Sequence, residues 1–127
     1  VGIVSVAFIA RWMGADAAII ASLEPKSVTT PIAVTIAERF GGIPPVTAVV
    51  VIVVGILGGV AGPVILNITG IHDKIARGLA FGAGAHGIGT ARALEIGALE
   101  GAISGLTIGL MGVATAVLIP VIRWIFY

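Results

Sequence analysis

The stretch Ile43 to Ile68, IPPVTAVVVIVVGILGGVAGPVILNI, contains no charged residue, and its reading decides the fold. About 20 apolar residues in helical form span the roughly 30 Å hydrocarbon core of a bilayer. A second uncharged run extends from Gly101 to Ile122. The remainder is almost as apolar: of 127 residues, 58% are hydrophobic and only 10% charged, with a mean hydropathy of +1.20. A soluble domain carries roughly 25% charged residues because its surface faces water. A core helix of a large soluble protein would have more polar neighbours than these. The chain therefore reads as an all-α membrane protein, a polytopic helix bundle whose first partner is the lipid bilayer.

The net charge of +1 gives no electrostatic footprint for nucleic acid. With no cysteine, disulfides, thiolate metal sites and cysteine catalysis are excluded. The chain opens at Val1 on a short apolar helix with no basic stretch before it, which speaks against a signal peptide. We expect it to be the C-terminal portion of a longer protein, with residues 1–127 as a single transmembrane domain.

Glycine and proline punctuate what lies around the long spans. A first apolar helix is predicted over Val1 to Gly14. A mixed segment, Asp16 to Phe40, is broken at Leu23-Glu24-Pro25-Lys26-Ser27. The long span starts at Ile43-Pro44-Pro45, proline being at home in a first helical turn, and ends near Asn67. After a polar link, Gly70 to Lys74, comes a second mixed segment, about Ile75 to Ala98, broken over Gly82 to Gly89. The last span, Gly101 to about Trp124, stops over Pro120 to Trp124, an arginine and aromatic ending suited to a membrane interface.

A broken helix followed by an unbroken span thus occurs twice. At an offset of about 60 residues Thr30 meets Thr90, Ala33 meets Ala93, Gly41 meets Gly101, Ile43 meets Ile103 and Thr47 meets Thr107. We expect a two-unit internal repeat, about 16–69 and about 73–124, with two discontinuous or re-entrant helices. If both broken segments cross fully, Arg11, Lys74, Arg77 and Arg123 share one side and Arg39 takes the other, which the positive-inside rule favours. If both are re-entrant, the units form an inverted repeat, the commoner transporter design. Both topologies stay open at this point.

Irregular backbone at membrane depth is tolerated only where it is buried in protein or lines a wet cavity. Paired Gly/Pro-interrupted segments are the sequence pointer to a transporter site. Thr30-Pro31 reads as N-cap and first residue of one half-helix, with Thr90-Ala91 in the matching place of the other. Half-helix N-termini aimed at the breaks suit an anion such as a carboxylate. The expected substrate-binding residues are Lys26, Ser27, Thr29 and Thr30 at the first break, and His86, Gly89, Thr90 and Arg92 at the second. His86, which titrates near neutral pH, and Glu95 are the candidates for proton coupling. Against these stand structural readings: Arg92 and Glu95 are three apart and pair on one helix, Glu24 and Lys26 sit at the interface, and His86 is a hydrogen-bonded structural residue.

Gly82, Gly84 and Gly87 spell G-x-G-x-x-G, but no strand precedes them and no acidic residue follows at the required distance, so no dinucleotide site is read. Two histidines without carboxylates at ligand spacing give no metal site, and no cofactor or enzyme activity is expected. Gly55 and Gly59, and Gly101, Gly105 and Gly109, are spaced four apart and read as helix-packing faces, within the chain or in a homo-oligomer.

Two strings carry a specific resemblance. Ser22-Leu23-Glu24-Pro25-Lys26-Ser27-Val28-Thr29-Thr30-Pro31-Ile32-Ala33 and His86-Gly87-Ile88-Gly89-Thr90-Ala91-Arg92-Ala93-Leu94-Glu95 resemble the LrgB/CidB family. So do Gly41 to Pro44, Ile75 to Ala80 and Glu100 to Leu106, in the same order. Ala85 stands where serine is common in that family, which removes a hydroxyl beside His86. The family's members are about twice this length.

The resemblance implies two functions. Some members are labelled antiholin-like and are thought to restrain murein hydrolase activity through a holin-like LrgA/CidA-type membrane partner. Others look like transporters of small carboxylates: pyruvate in bacteria, glycolate and glycerate in chloroplast envelopes. The paired breaks and their basic residues favour a carboxylate transporter or exchanger in a bacterial cell membrane, with the antiholin-like regulator as the alternative. A chloroplast envelope fits less well.

Overall fold

The computed structural model describes residues 2–126, which form six helices and no strand: α1 (Gly2–Trp12), α2 (Ala17–Leu23), α3 (Thr30–Arg39), α4 (Pro44–Ile68), α5 (Lys74–Ile96) and α6 (Ala98–Phe126). The all-helical expectation holds.

Two helices are long and apolar enough to cross a membrane. They are α4, with 25 residues and a mean hydropathy of 2.7, and Ala98–Ile125 of α6, with 28 residues and 2.2. At about 1.5 Å per residue both exceed the hydrocarbon thickness. Their large side chains are mostly turned outward: Val49, Val53, Leu57 and Val60 on α4, and Leu106, Leu110, Val113 and Val117 on α6, are exposed. Such surface is stable against hydrocarbon or other helices rather than water.

The last span differs from its sequence reading. It begins at Ala98 and runs through Pro120 to Phe126 instead of stopping over Pro120 to Trp124. α4 likewise continues through Pro63. An internal proline removes one helical hydrogen bond. Helices at membrane depth absorb that loss through neighbouring helices and local adjustment.

The chain divides into two compact units. One holds the residues up to Val51 together with those from Gly112 on; the other is Ile52–Met111. In the first unit, α1 packs on α2 through Ala7, Ala10 and Ile20, flanked by Ala15 and Leu23. Asp16 caps α2 by accepting from the Ile19 amide at 2.8 Å, one of the orphan donors of a helix start. Ser22 then ties the end of α2 to the start of α4. Its Oγ accepts from the Ile43 amide at 2.7 Å, and its carbonyl accepts from Thr47 Oγ1 at 3.0 Å. Gly41, at φ +76°, ends α3 in a left-handed conformation that an L side chain would resist.

In the second unit, Asp73 caps α5 by accepting from the Ala76 amide at 2.8 Å. Gly97 alone joins α5 to α6, in extended backbone with φ −178°. A side chain there would run into the Glu100 carboxylate. Glu100 is itself buried in the first turn of α6, where the positive end of the helix favours an acid.

Candidate functional site

The second break falls on His86. Its φ of +39° and ψ of −129° leave helical geometry inside α5, and no other described non-glycine residue has a positive φ. Such a conformation costs an L residue on the order of 1–3 kcal/mol and persists only where its surroundings hold it. The chain reverses there. Phe81 and Ala93 share one buried cluster with Leu66, and Ile96 packs against it. Fifteen residues of straight helix would put Phe81 and Ile96 about 22 Å apart.

Glycines make the reversal compact. A Cβ on Gly55 would lie 2.6 Å from His86 Cε1, one on Gly58 2.5 Å from Ala85 Cβ, and one on Gly62 2.7 Å from Phe81 Cε1. On the other side, a Cβ on Gly78 would meet the Glu100 carbonyl, and one on Gly82 the Ser104 carbonyl at 2.5 Å and Thr107 Cβ at 2.6 Å. α5 thus sets its side chains on the glycines of α4 and its own glycines on the backbone carbonyls of α6. A Cβ on Gly59 would lie 3.4 Å from Ile88 Cγ2, in ordinary contact.

Polar groups collect at this reversal. His86 is 4% exposed. Thr90 Oγ1 donates to the His86 carbonyl at 2.9 Å and lies 2.7 Å from Ser104 Oγ. Ser104 and Thr107 are buried, and Thr107 Oγ1 donates to the Ile103 carbonyl at 2.7 Å. The sequence reading missed Ser104. Its only signal was a hydroxyl in an otherwise apolar span, which spacing alone does not connect to Thr90. The reading also put Thr90 at the head of the second half-helix; with the break at His86, Thr90 lies one turn inside it. Gly89 sits against the first half of the hairpin, where a Cβ would be 2.7 Å from the Phe81 carbonyl oxygen.

Arg92 and Glu95 form an ion pair three residues apart, with side chains 46% and 64% exposed. An open cleft of about 450 Å³ lies beside them, lined also by Ile56, Gly59, Val60, Ile88 and Ala91. G-x-G-x-x-G at Gly82, Gly84 and Gly87 belongs to the helical hairpin and follows no strand. Among the described residues no group of acids and histidines is placed to hold a metal.

The first break lies in the first unit, between α2 and α3. Thr29, not Thr30, is the N-cap of α3; its φ of −62° and ψ of 146° are extended, and its side chain makes no capping bond. Thr30 is the first helical residue and Pro31 follows it. Lys26 and Ser27 are half-buried, with Lys26 Nζ donating to Ser27 Oγ at 3.4 Å.

Glu24, at the same break, has a side chain only 1% exposed, and its Oε2 accepts from Arg123 Nε at 2.8 Å across 99 residues of sequence. Arg123 is turned inward, 17% exposed. Its guanidinium lies 5.1 Å from the centre of the Phe40 ring and also donates to the Phe40 carbonyl at 3.4 Å. Trp124, the next residue, is exposed as an interface residue should be. Only the fold could reveal that these neighbours face opposite ways.

The glycine faces also separate. Gly55 and Gly101 are buried, Gly101 against Leu94, whereas a Cβ on Gly105 or Gly109 would meet nothing within 4 Å.

The comparisons agree on one family. The LrgB-like family model matches residues 1–125. The chain is 42% identical over 120 residues to an uncharacterized Bacillus subtilis protein, YwbG, covering 94% of this chain and 53% of that protein. It is 36% identical over 108 residues to the holin-like protein CidB of Staphylococcus epidermidis, covering 85% and 47%. It is 36% identical over 118 residues to the antiholin-like protein LrgB of Bacillus mycoides, covering 93% and 51%. The chain spans about half the length of the curated relatives it matches. No solved structure matches it. With a family model matched from the first residue to the 125th, the chain belongs to the LrgB-like family.

Proposed function

We propose that the chain is part of a multi-pass bacterial membrane protein that regulates a holin-like partner by helix–helix contact. The names of the Staphylococcus and Bacillus relatives, holin-like and antiholin-like, support this reading over the carboxylate transport expected from the breaks alone. The observation that carries it lies on α6. Gly105 and Gly109 face open space, flanked by the exposed Leu106, Leu110 and Val113. A small-residue face between apolar ridges lets a second helix approach closely, as in G-x-x-x-G packing. A small LrgA/CidA-type protein is the proposed partner, and a second copy of this protein is the competing occupant. The test is co-purification of the full-length protein with a small holin-like protein of the same cell. Replacing Gly105 and Gly109 with leucine should abolish it while leaving membrane accumulation intact. Undiminished capture would remove the contact face.

A second reading is favoured by the reversal at His86. Buried hydroxyls, a histidine and backbone out of helical geometry are what an intramembrane binding site requires. In this reading the protein carries small carboxylates, with His86, Gly89 and Thr90 at the second break and Lys26, Ser27, Thr29 and Thr30 at the first. Arg92 takes part only if it leaves Glu95. Uptake of labelled pyruvate into proteoliposomes of the full-length protein tests it. Wild-type rates in folded Lys26→Ala and His86→Ala variants would count decisively against it.

The internal repeat belongs to the same proposal. Thr47 bonds the Ser22 carbonyl in one unit, and Thr107 sits on Gly82 in the other, each pair being offset by about 60 residues. Both threonines also donate to the carbonyl four residues back, Ile43 and Ile103. Ala33 and Ala93, equally offset, are both fully buried. These correspondences support two copies of one hairpin-plus-span unit.

A further inference from the structure

A groove of about 410 Å³ runs along α3 where it meets α6, lined by Pro31, Ile32, Thr35, Ile36 and Arg39 of α3 and by Ala116 of α6. Ile32, Thr35, Ile36 and Arg39 share one face at helical spacing, so the groove follows α3 for about 10 Å. Contacts fix its two ends. A Cβ on Gly112 would lie 3.0 Å from Ile32 Cδ1, which sets Ile32 against the middle of α6. Phe40, next to Arg39, lies under the Arg123 guanidinium near the end of α6. The Ile32 end is therefore the deeper one in the apolar span Ala98–Ile125, and the Arg39 end lies toward the limit of that span. Arg39 also stands just before the turn at Gly41 that leads into the span of α4.

The walls of the groove are apolar, and Arg39 is the only charged residue that lines it. Thr35 Oγ1 is engaged on its own helix, donating to the Pro31 carbonyl at 2.9 Å. Arg39 is exposed, its guanidinium 5.9 Å from the centre of the Phe40 ring, and no described acid lies within ion-pair distance of it. Glu38, its neighbour, lies about 100° round the helix and does not line the groove. Glu24 is engaged by Arg123. We propose that this groove binds an anionic phospholipid, with the phosphate on Arg39 and an acyl chain along Ile32 and Ile36. Basic pockets between membrane helices take lipid headgroups, and a cation at the edge of hydrocarbon is stabilised by an anion. The groove also runs as a lipid does, its charged end toward the end of the span and its apolar end inward. The site lies wholly within the first unit and is independent of both functional readings above.

The test is the thermal unfolding midpoint of the full-length protein in neutral detergent, with and without added phosphatidylglycerol. The lipid should raise the midpoint by about 3–6 °C, as a ligand at roughly ten times its Kd does. Phosphatidylcholine, whose headgroup has no net charge, should raise it much less, and inorganic phosphate not at all. Arg39→Gln removes only an exposed end group and should abolish most of the shift. Ala116→Phe fills the groove without touching the charge and should abolish it too. Lys74→Gln, which removes an exposed cation on α5, should leave the shift unchanged. Equal shifts from the two lipids, a shift from inorganic phosphate alone, or equal losses in Arg39→Gln and Lys74→Gln would each overturn the site. An undiminished shift in Ala116→Phe would overturn it as well and would leave the groove to a partner helix.

Discussion

Gly89 lies against the Phe81 carbonyl: a Cβ at Gly89 would be 2.7 Å from that oxygen. Eight residues of straight helix would separate the two by about 12 Å. Their proximity follows from the reversal at His86, and it makes Gly89 the residue on which the hairpin closes. Gly89→Ala should destabilise the protein by about 1–3 kcal/mol, as overpacking does. The denaturation midpoint of the full-length protein in detergent measures this. An unchanged midpoint would mean that the two halves do not close on each other.

His86 combines a strained backbone with a buried ring, and two substitutions separate these contributions. Both Ala and Gly remove the ring, but only Gly accepts a φ of +39° without strain. His86→Gly should therefore be more stable than His86→Ala by about 1 kcal/mol. The reverse order would argue against the left-handed conformation.

The hydroxyl pair Thr90 and Ser104, 2.7 Å apart, fastens the second half of α5 to α6. A buried neutral hydrogen bond is worth about 1 kcal/mol net, with more lost when one partner is left unpaired. Thr90→Val and Ser104→Ala should each destabilise, and the double variant should cost less than their sum. A double-mutant cycle on the denaturation midpoint tests this, and strict additivity would show that the hydroxyls are not coupled.

The Arg92–Glu95 pair lies at the surface. Exposed ion pairs at helical spacing contribute about 0.2–0.5 kcal/mol. Arg92→Ala should therefore leave stability almost unchanged, which makes it a clean probe of function. A fall in carboxylate uptake without a fall in stability would assign Arg92 to the substrate.

Glycines that look alike in sequence should respond differently. Gly55→Leu would drive a side chain into His86 and Ile88 and should prevent folding, seen as loss of membrane-integrated protein. Gly105→Leu and Gly109→Leu meet nothing and should accumulate normally. Equal losses at all three would place Gly105 and Gly109 in a packed interface of the fold.

Much of the architecture was legible because it depends on composition and local chemistry. The uncharged run from Ile43 to Ile68 had to be a long helix, since unpaired backbone is too costly in hydrocarbon. The breaks at Lys26 and at Gly82 to Gly89 were visible as clusters of Gly, Pro and polar residues, where helical propensity fails. The positions of the caps were less legible. Thr29 and Thr30 are alike in sequence, and which of them ends in extended backbone depends on how the loop before α3 is packed.

By itself the sequence determined that the chain is helical, apolar and twice interrupted, and its motifs carried the family. Local propensity and transfer from water act over a few residues, so they can be read directly. Tertiary structure alone decided that α5 reverses at His86, that Thr90 meets Ser104, that Gly105 faces outward while Gly101 does not, and that Glu24 is buried on Arg123. Each of these depends on which helix face meets which. In so apolar a chain neither face is marked by polarity, and packing between distant residues makes the choice.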